Sequence, residues 1–174
     1  MPNTIDWAII TRTLTQGHTV TMDPSQYDML NVGYKQILDV WMEAGVDPSV
    51  VKWTNHYPGK HFNQLVETCV ADELNIVPLR SWISCIEPGF QAPWHWDVDD
   101  NEQEYLDQGV LNRYTIFIMP PQNGHEFTLD NTKYTNVDEG TVVKWSRYNE
   151  WHSSVNNGTE PHYMYHILGV SRTS

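Results

Sequence analysis

Basic residues, cysteine and long apolar segments are all scarce in this sequence of 174 residues. Ten Lys and Arg stand against 22 Asp and Glu, and the resulting net charge of -12 argues against nucleic-acid and anionic-membrane partners, because phosphate binding relies on clustered cations. Cys69 and Cys85 are too few for a disulfide framework or a zinc knuckle, and they suit a reducing compartment. With no apolar run approaching the roughly 20 residues of a membrane helix and no signal-peptide pattern, we expect a soluble cytoplasmic protein.

The length is that of one domain large enough to bury a core without disulfides or a structural metal. We predict a single domain over 1–174, with a layer of helices and strands over 1–78 and a β core over 79–174. Eight Trp and nine Tyr suit a β-rich core, and equally suit a pocket with aromatic walls.

Two segments of the N-terminal half have apolar residues at helical intervals. Pro24–Gly45 begins after Asp23 and stops at glycine, and Lys60–Leu74 spaces its apolar residues by three and four. Both are predicted to be helices.

From residue 79 onward, short runs rich in Trp, Ile, Val, Tyr and Thr alternate with clusters of Pro, Gly, Asn and Asp. Pro120–Gly124 and Asn156–Gly158 are predicted hairpin turns, and the acidic stretch Asp99–Gly109 a surface loop. Eight short strands after two helices predict a mainly β fold, a double-stranded β-helix of the jelly-roll or cupin kind with flanking N-terminal α-helices. The predicted strands are Arg80–Ile86, Trp94–Val98, Arg113–Met119, His125–Leu129, Lys133–Thr135, Thr141–Trp145, Glu150–Asn156 and His162–Val170.

His95 and Asp97 stand one residue apart on a predicted strand, where alternate side chains point to the same face. His152 follows 55 residues after Asp97 on a later strand and supplies a third ligand if it returns to the same place. Two imidazoles and one carboxylate on one side of a metal form the facial triad of non-heme iron(II) oxygenases, with positions left open for cosubstrate and oxygen. The alternative is that both His are polar residues at strand ends and that Asp97 caps a turn.

Several spaced elements around these residues resemble the aspartyl/asparaginyl β-hydroxylase family of iron(II)- and 2-oxoglutarate-dependent oxygenases. They are Ser84 eleven residues before His95, the sequences Glu87-Pro88-Gly89 and Pro93-Trp94-His95, Arg113 opening an apolar strand, Asp138-Glu139-Gly140-Thr141-Val142, and His152-Ser153-Ser154-Val155-Asn156. The resemblance covers about 81–170, half of the chain. It implies a double-stranded β-helix with iron(II) bound by His95 and His152; Asp97, where well-known animal members have Gly, completes the fuller triad of the wider superfamily.

The resemblance also implies a 2-oxoglutarate site, with Ser84 and Arg113 as contacts. Ten residues after His152, where the family has an Arg for the distal carboxylate, this chain has His162, which could bind it as an imidazolium. His166 lies about 13 Å further along the same face of an extended strand. Alternatively, His162 and His166 are ordinary strand histidines, Arg113 pairs with the acidic loop Asp99–Asp107, and Lys144 and Arg147 are solvated charges.

The sequence thus predicts an iron(II)- and 2-oxoglutarate-dependent dioxygenase, with His95, Asp97 and His152 as its catalytic metal ligands. The resemblance implies hydroxylation of an amino-acid side chain, free or in a peptide, and the acidic loop favours a cationic or neutral substrate. Trp96, Tyr114 and Trp151 are candidate pocket walls by their nearness to the ligands. The alternatives are a metal-binding cupin without oxidative turnover, a jelly-roll module that binds a sugar or peptide, and a structural subunit.

Overall fold

Ten β-strands and few helices make up the described part of the chain, which in this computed structural model comprises residues 17–30, 32–58, 68–97, 111–119, 122–147 and 150–172. The helical elements are two 3-10 helices, Pro24–Met29 and Pro48–Val50, one α-helix, α1 (Val32–Glu43), and helical residues at 68–74. The strands are β1 (Gly17–Met22), β2 (Trp53–Pro58), β3 (Ile76–Ile86), β4 (Gln91–His95), β5 (Leu111–Phe117), β6 (His125–Leu129), β7 (Thr132–Tyr134), β8 (Val142–Lys144), β9 (His152–Asn156) and β10 (His162–Ser171).

The strands pair in a nested order that defines the fold. β3 pairs with β10, β4 with β9, β5 with β8 and β6 with β7, all antiparallel. The chain therefore forms one long antiparallel ribbon that is folded over into two sheets, ordered β1-β2-β3-β10-β5-β8 and β4-β9-β6-β7. This is a double-stranded β-helix, and the predicted mainly β, jelly-roll fold class is confirmed.

Both predicted hairpin turns are instead crossovers between the sheets. β5 lies in the six-stranded sheet and β6 in the four-stranded one, and the same holds for β10 and β9. A folded ribbon passes from one sheet to the other at these points, and local turn residues cannot reveal that. Among the described residues the two-residue hairpin is Asp130-Asn131, between β6 and β7, where Asp130 takes a φ of 51°.

The first predicted helix is divided. Leu30 has extended dihedral angles and separates the 3-10 helix from α1. Asp23 caps the 3-10 helix, since its Oδ1 accepts from the backbone N of Ser25 at 3.0 Å, and Oδ2 pairs with Nζ of Lys52 at 2.9 Å. Of the second predicted helix, 68–74 is helical and 60–67 lies outside the described residues.

The sequence patterns missed β1 and β2, which extend the six-stranded sheet beside β3. Both strands are short and mix polar with apolar residues, so their period-2 signal is weak. β3 also begins at Ile76 rather than Arg80. None of the described helices is long and apolar enough to span a bilayer.

The six-stranded sheet has one apolar and one polar buried face. Ile83 on β3 and Ile167 on β10 belong to an apolar cluster with Val70 of the helical segment. Their strand neighbours Ser84 and His166 point the other way and line a cavity. A buried face with polar groups is unusual, because each such group must find a partner. This face of the sheet therefore places several polar side chains in the cavity.

We expect Gly169→Ala to destabilise the fold. The β3–β10 register shifts at Leu168/Gly169, and a Cβ at position 169 would lie 2.6 Å from the backbone O of Val77. Relief requires a shift of backbone rather than of a flexible side chain, at a cost of about 1–3 kcal/mol. Urea denaturation measures this cost, with exposed Thr132→Ala on β7 as a control expected to change stability by less than about 0.5 kcal/mol. Equal stability of the two variants would contradict the tight packing at Gly169.

Candidate metal centre

His95 and His152 are brought together by the pairing of β4 with β9. The register sets the two residues opposite each other, with ring centroids 4.2 Å apart. The predicted strand Trp94–Val98 is instead β4, Gln91–His95, so Asp97 lies two residues past its end, and its carboxylate faces both rings. Both His are buried, each with 7% of its surface exposed. The long sequence separation between His95 and His152 is thus closed by one cross-strand pair.

Backbone carbonyl groups fix the tautomers of both imidazoles. Nδ1 of His95 lies 2.6 Å from the carbonyl O of Pro93, and Nδ1 of His152 lies 3.0 Å from that of Glu150. A carbonyl oxygen only accepts, so each Nδ1 carries the hydrogen and donates it. Each Nε2 therefore presents a lone pair to Asp97. This is the arrangement by which a His whose other nitrogen is hydrogen-bonded coordinates a metal.

The distances between the ligand atoms suit a single ion. Nε2 of His95 lies 3.7 Å from Oδ1 of Asp97, and Nε2 of His152 lies 3.8 Å from Oδ2. All three ligand atoms lie within 4.8 Å of one another. Both His–Asp separations are below about 4.2 Å, twice a metal–ligand bond of roughly 2.1 Å, so an ion can contact both atoms of each pair. Two lone pairs and a carboxylate that face one another repel, and a cation relieves that repulsion.

Burial and charge set the protonation state of the three groups. Burial lowers the pKa of His95 and lowers that of His152 further. Burial acts to raise the pKa of Asp97, but the nearby charge of Arg113 opposes it and the net result is a pKa well below the usual range. At neutral pH the site therefore holds two neutral imidazoles and a carboxylate, the forms that bind metals.

Arg113 is the cation beside Asp97, and its Nη1 donates to Oδ2 of that residue. The Arg113 side chain is 4% exposed, and its guanidinium carbon lies 3.7 Å from the Trp145 ring centroid and 5.1 Å from that of Trp82. Two aromatic rings thus hold the buried guanidinium by cation–π attraction. The predicted alternative partner, the acidic loop Asp99–Asp107, lies outside the described residues.

The triad, Arg113 and Ser84 line the same cavity between the sheets. The cavity has a water-accessible volume of about 40 Å³. The structure therefore brings together the three predicted metal ligands and two of the three predicted cosubstrate contacts.

A hydrogen-bonded chain leads from the cavity into the six-stranded sheet. Ser84 Oγ lies 2.8 Å from Nε2 of His166, whose Nδ1 lies 3.0 Å from Oγ1 of Thr115. Trp145 Nε1 donates to the same Thr115 oxygen at 2.9 Å. Burial lowers the pKa of His166 to about 3, so the imidazole is neutral. His166 thus orients the Ser84 hydroxyl.

His162, the third predicted cosubstrate contact, is not among the residues that line the cavity. Its ring stacks on that of His125 with centroids 4.6 Å apart, and its Nδ1 lies 3.5 Å from Oγ of Ser154. Burial lowers the pKa of His162 to about 3, so the side chain is not an imidazolium at neutral pH. The structure gives no support to the expected cationic contact, and His166 is the β10 histidine at the cavity.

The candidate pocket walls lie elsewhere. Trp96 and Trp151 are 43% and 44% exposed and are not among the residues that line the cavity. Tyr114 belongs to the apolar cluster beneath residues 68–74. Lys144 and Arg147 are exposed and do not line the cavity, in line with the alternative that they are solvated charges.

Sequence reasoning missed the two rings around Arg113. Trp82 shares its strand face with Ser84, so the alternation along β3 contained a signal for it. Trp145 directly follows β8, and only the pairing of β8 with β5 reveals that it lies beside Arg113. Of the histidines interpreted as structural, His18, His56 and His125 do not line the cavity, and His61 lies outside the described residues.

No protein-family model matches the chain, and the search of curated proteins found no match. Similar solved structures include a predicted oxalate decarboxylase from Thermotoga maritima, with a TM-score of 0.39, 12% identity and coverage of 68% of this chain and 81% of that chain. A sugar phosphate isomerase from a cupin superfamily, from Silicibacter pomeroyi DSS-3, has a TM-score of 0.39 and 11% identity. The match covers 70% of this chain and 60% of the isomerase. The Schizosaccharomyces pombe Cnp3 cupin domain has a TM-score of 0.37 and 13% identity, and the match covers 55% of this chain and 64% of that domain.

This chain thus spans less than two thirds of the length of the isomerase and of the Cnp3 domain. At these TM-scores the likenesses carry no argument about activity. The fold assignment rests on the strand pairing, and the site must be interpreted from its own residues.

We expect His95→Ala or His152→Ala to abolish iron(II) binding, because each variant removes one of three ligand atoms. Anaerobic isothermal titration calorimetry with iron(II) measures the affinity. His18→Ala, at an exposed position that does not line the cavity, is the control and should bind iron(II) like the wild type. Unchanged iron(II) binding in both cavity variants would exclude the triad as the metal centre.

Stability should fall as the pH drops below about 6.5. The pKa of His162 is about 3 in the folded protein, so between these values the unfolded chain takes up a proton that the native protein does not. Urea denaturation at pH 6.5 and pH 5 measures the free energy of unfolding. Between these two pH values we expect it to fall by about 1.5 kcal/mol less in His162→Leu than in the wild type. Phe127→Leu, in the adjacent core, should lower stability equally at both pH values. An identical pH slope in wild type and His162→Leu would contradict the burial of a neutral His162.

Proposed function

We propose that the protein is an iron(II)- and 2-oxoglutarate-dependent dioxygenase that hydroxylates an amino-acid or peptide side chain. The observation that carries the proposal is the convergence of His95, Asp97 and His152 on a cavity that Arg113 and Ser84 also line. The resemblance of about 81–170 to the aspartyl/asparaginyl β-hydroxylase family supports the same activity.

The donor set fits iron(II). Two neutral imidazoles and one carboxylate provide three ligand atoms within 4.8 Å of one another, in the composition of the 2-His-1-carboxylate triad. Iron(II) held there would activate oxygen, which is the oxidant of the reaction. Other groups of the chain orient the three ligands. The carbonyl groups of Pro93 and Glu150 accept hydrogen bonds from the Nδ1–H groups of the imidazoles, and Arg113 donates to one oxygen of Asp97.

Arg113 and Ser84 are the proposed contacts for the cosubstrate carboxylate. Among the described residues, Arg113 is the one Lys or Arg that lines the cavity. Its guanidinium packs against the rings of Trp82 and Trp145, so little side-chain entropy remains to be lost when an anion binds. Ser84 offers a hydroxyl that His166 orients. A cation and a hydroxyl are the groups that hold a carboxylate by charge-assisted hydrogen bonds.

The partner class follows from charge. A net charge of -12 disfavours nucleic acid and favours a neutral or cationic substrate.

Two observations favour a second candidate, a metal-binding cupin without oxidative turnover. Arg113 already donates to Asp97, and His162 lies outside the cavity as a neutral group. Such a protein binds the metal with the same triad and has no affinity for 2-oxoglutarate.

Succinate formation separates the two candidates. Purified protein is loaded anaerobically with iron(II) and 2-oxoglutarate and then exposed to oxygen, with and without a pool of amino acids and peptides. We expect oxygen-dependent succinate that is lost in His152→Ala. In Ser84→Ala the KM for 2-oxoglutarate should rise roughly tenfold, because a hydrogen bond to a charged group is lost. Iron(II) binding without measurable 2-oxoglutarate affinity would reject the oxygenase and leave the metal-binding cupin.

A further inference from the structure

A chain of buried hydrogen bonds lies behind Ser84, the serine on β3 that lines the cavity. It runs through His166 of β10 to Thr115 of β5, and the β10–β5 register sets His166 and Thr115 opposite each other. Ser84, His166 and Thr115 are 7%, 4% and 0% exposed. The direction of these hydrogen bonds decides whether the Ser84 hydroxyl donates to a ligand or accepts from it.

Thr115 begins the chain as a donor. Within the described part of the protein its Oγ1 has two hydrogen-bond partners, Nε1 of Trp145 at 2.9 Å and Nδ1 of His166 at 3.0 Å. The indole nitrogen of Trp145 can only donate, so among the described residues Nδ1 of His166 is the one acceptor for the Thr115 hydroxyl hydrogen. If the hydroxyl did not donate there, a buried donor would be unpaired at a cost of about 1–3 kcal/mol.

The bond from Thr115 fixes the tautomer of His166. Burial lowers the pKa of this imidazole to about 3, and in a neutral imidazole one nitrogen donates and the other accepts. The ring of Trp82 stacks on that of His166, with centroids 5.1 Å apart and an interplanar angle of 17°, and so holds its plane. Because Nδ1 accepts from Thr115, Nε2 carries the hydrogen and donates it to Ser84 Oγ at 2.8 Å.

The Ser84 hydroxyl is therefore free to donate into the cavity. Its oxygen accepts from His166, and no second partner among the described residues takes its own hydrogen. Arg113, whose side chain also only donates, lines the same cavity. Two donors, one of them charged, suit the oxygens of a carboxylate, which only accept. In the opposite tautomer of His166, Ser84 would donate to Nε2 and present only lone pairs to the ligand.

We propose that Thr115 is a positioning residue of the cavity, which acts through His166 to fix Ser84 as a hydrogen-bond donor to the carboxylate of the bound ligand. The identity of that ligand as 2-oxoglutarate rests on the proposed function, whereas the tautomer of His166 does not.

Long-range proton–nitrogen NMR correlation of the histidine rings measures the tautomer. The full-length protein is isotope-labelled at its histidines and studied at neutral pH without added metal, and the signals lost in His166→Gln assign His166. We expect predominantly the Nε2–H form. A predominant Nδ1–H form, or a mixture like that of the exposed His18, would overturn the proposal.

Matched variants test the role of the Thr115 hydroxyl. Thr115→Val removes it with little change of shape and should move His166 toward a mixture of tautomers. The Kd of 2-oxoglutarate, from anaerobic calorimetry with iron(II), should rise at least about threefold in this variant. Thr115→Ser keeps the hydroxyl and should restore both values. Thr128→Val, on β6 and outside the cavity, is the control and should match the wild type.

Circular dichroism checks that each variant is folded. An unchanged tautomer together with unchanged affinity in folded Thr115→Val would contradict the role of Thr115, and if that variant does not fold the wild-type tautomer still decides. The Nε2–H form without any binding of 2-oxoglutarate would reject the proposed function and leave Thr115 as a positioning residue. Binding of 2-oxoglutarate with the Nδ1–H form would do the reverse.

Discussion

The cross-strand pair of His95 with His152 is the contact on which the candidate site depends. The nested order of the ribbon makes β4 and β9 neighbours, and their register sets these two residues opposite each other. Asp97, two residues past the end of β4, then directs its carboxylate toward both imidazoles. A slip of one residue in this register would turn His152 outward and bring Trp151 to the cavity. Fold and site are therefore specified by the same strand pairing.

Around this pair, the polar groups of the interior are organised in layers. Carbonyl groups of Pro93 and Glu150 fix the imidazole tautomers, and Arg113 fixes Asp97 while two Trp rings hold Arg113. Buried polar groups are costly unless each has a partner, so a connected network of this kind holds its members in one geometry.

Sequence patterns predicted the β class, and they singled out the three residues that the structure brings together as candidate ligands, because these depend on local alternation and on residue chemistry. They could not predict which strands pair, and so they misassigned both crossovers as hairpins and placed Trp96 and Trp151 near the cavity. The expectation for His162 relied on a position counted from His152. Burial, which decides that its imidazole is neutral, depends on contacts with His125 and Ser154 from other strands.

The most direct test of the account is a crystal structure of the protein grown anaerobically with iron(II), with anomalous diffraction used to place the metal. The account predicts one strong anomalous peak in the cavity, within bonding distance of Nε2 of His95, Nε2 of His152 and a carboxylate oxygen of Asp97. A protein that holds iron(II) at other residues, or that leaves this cavity without metal under saturating iron(II), would contradict it.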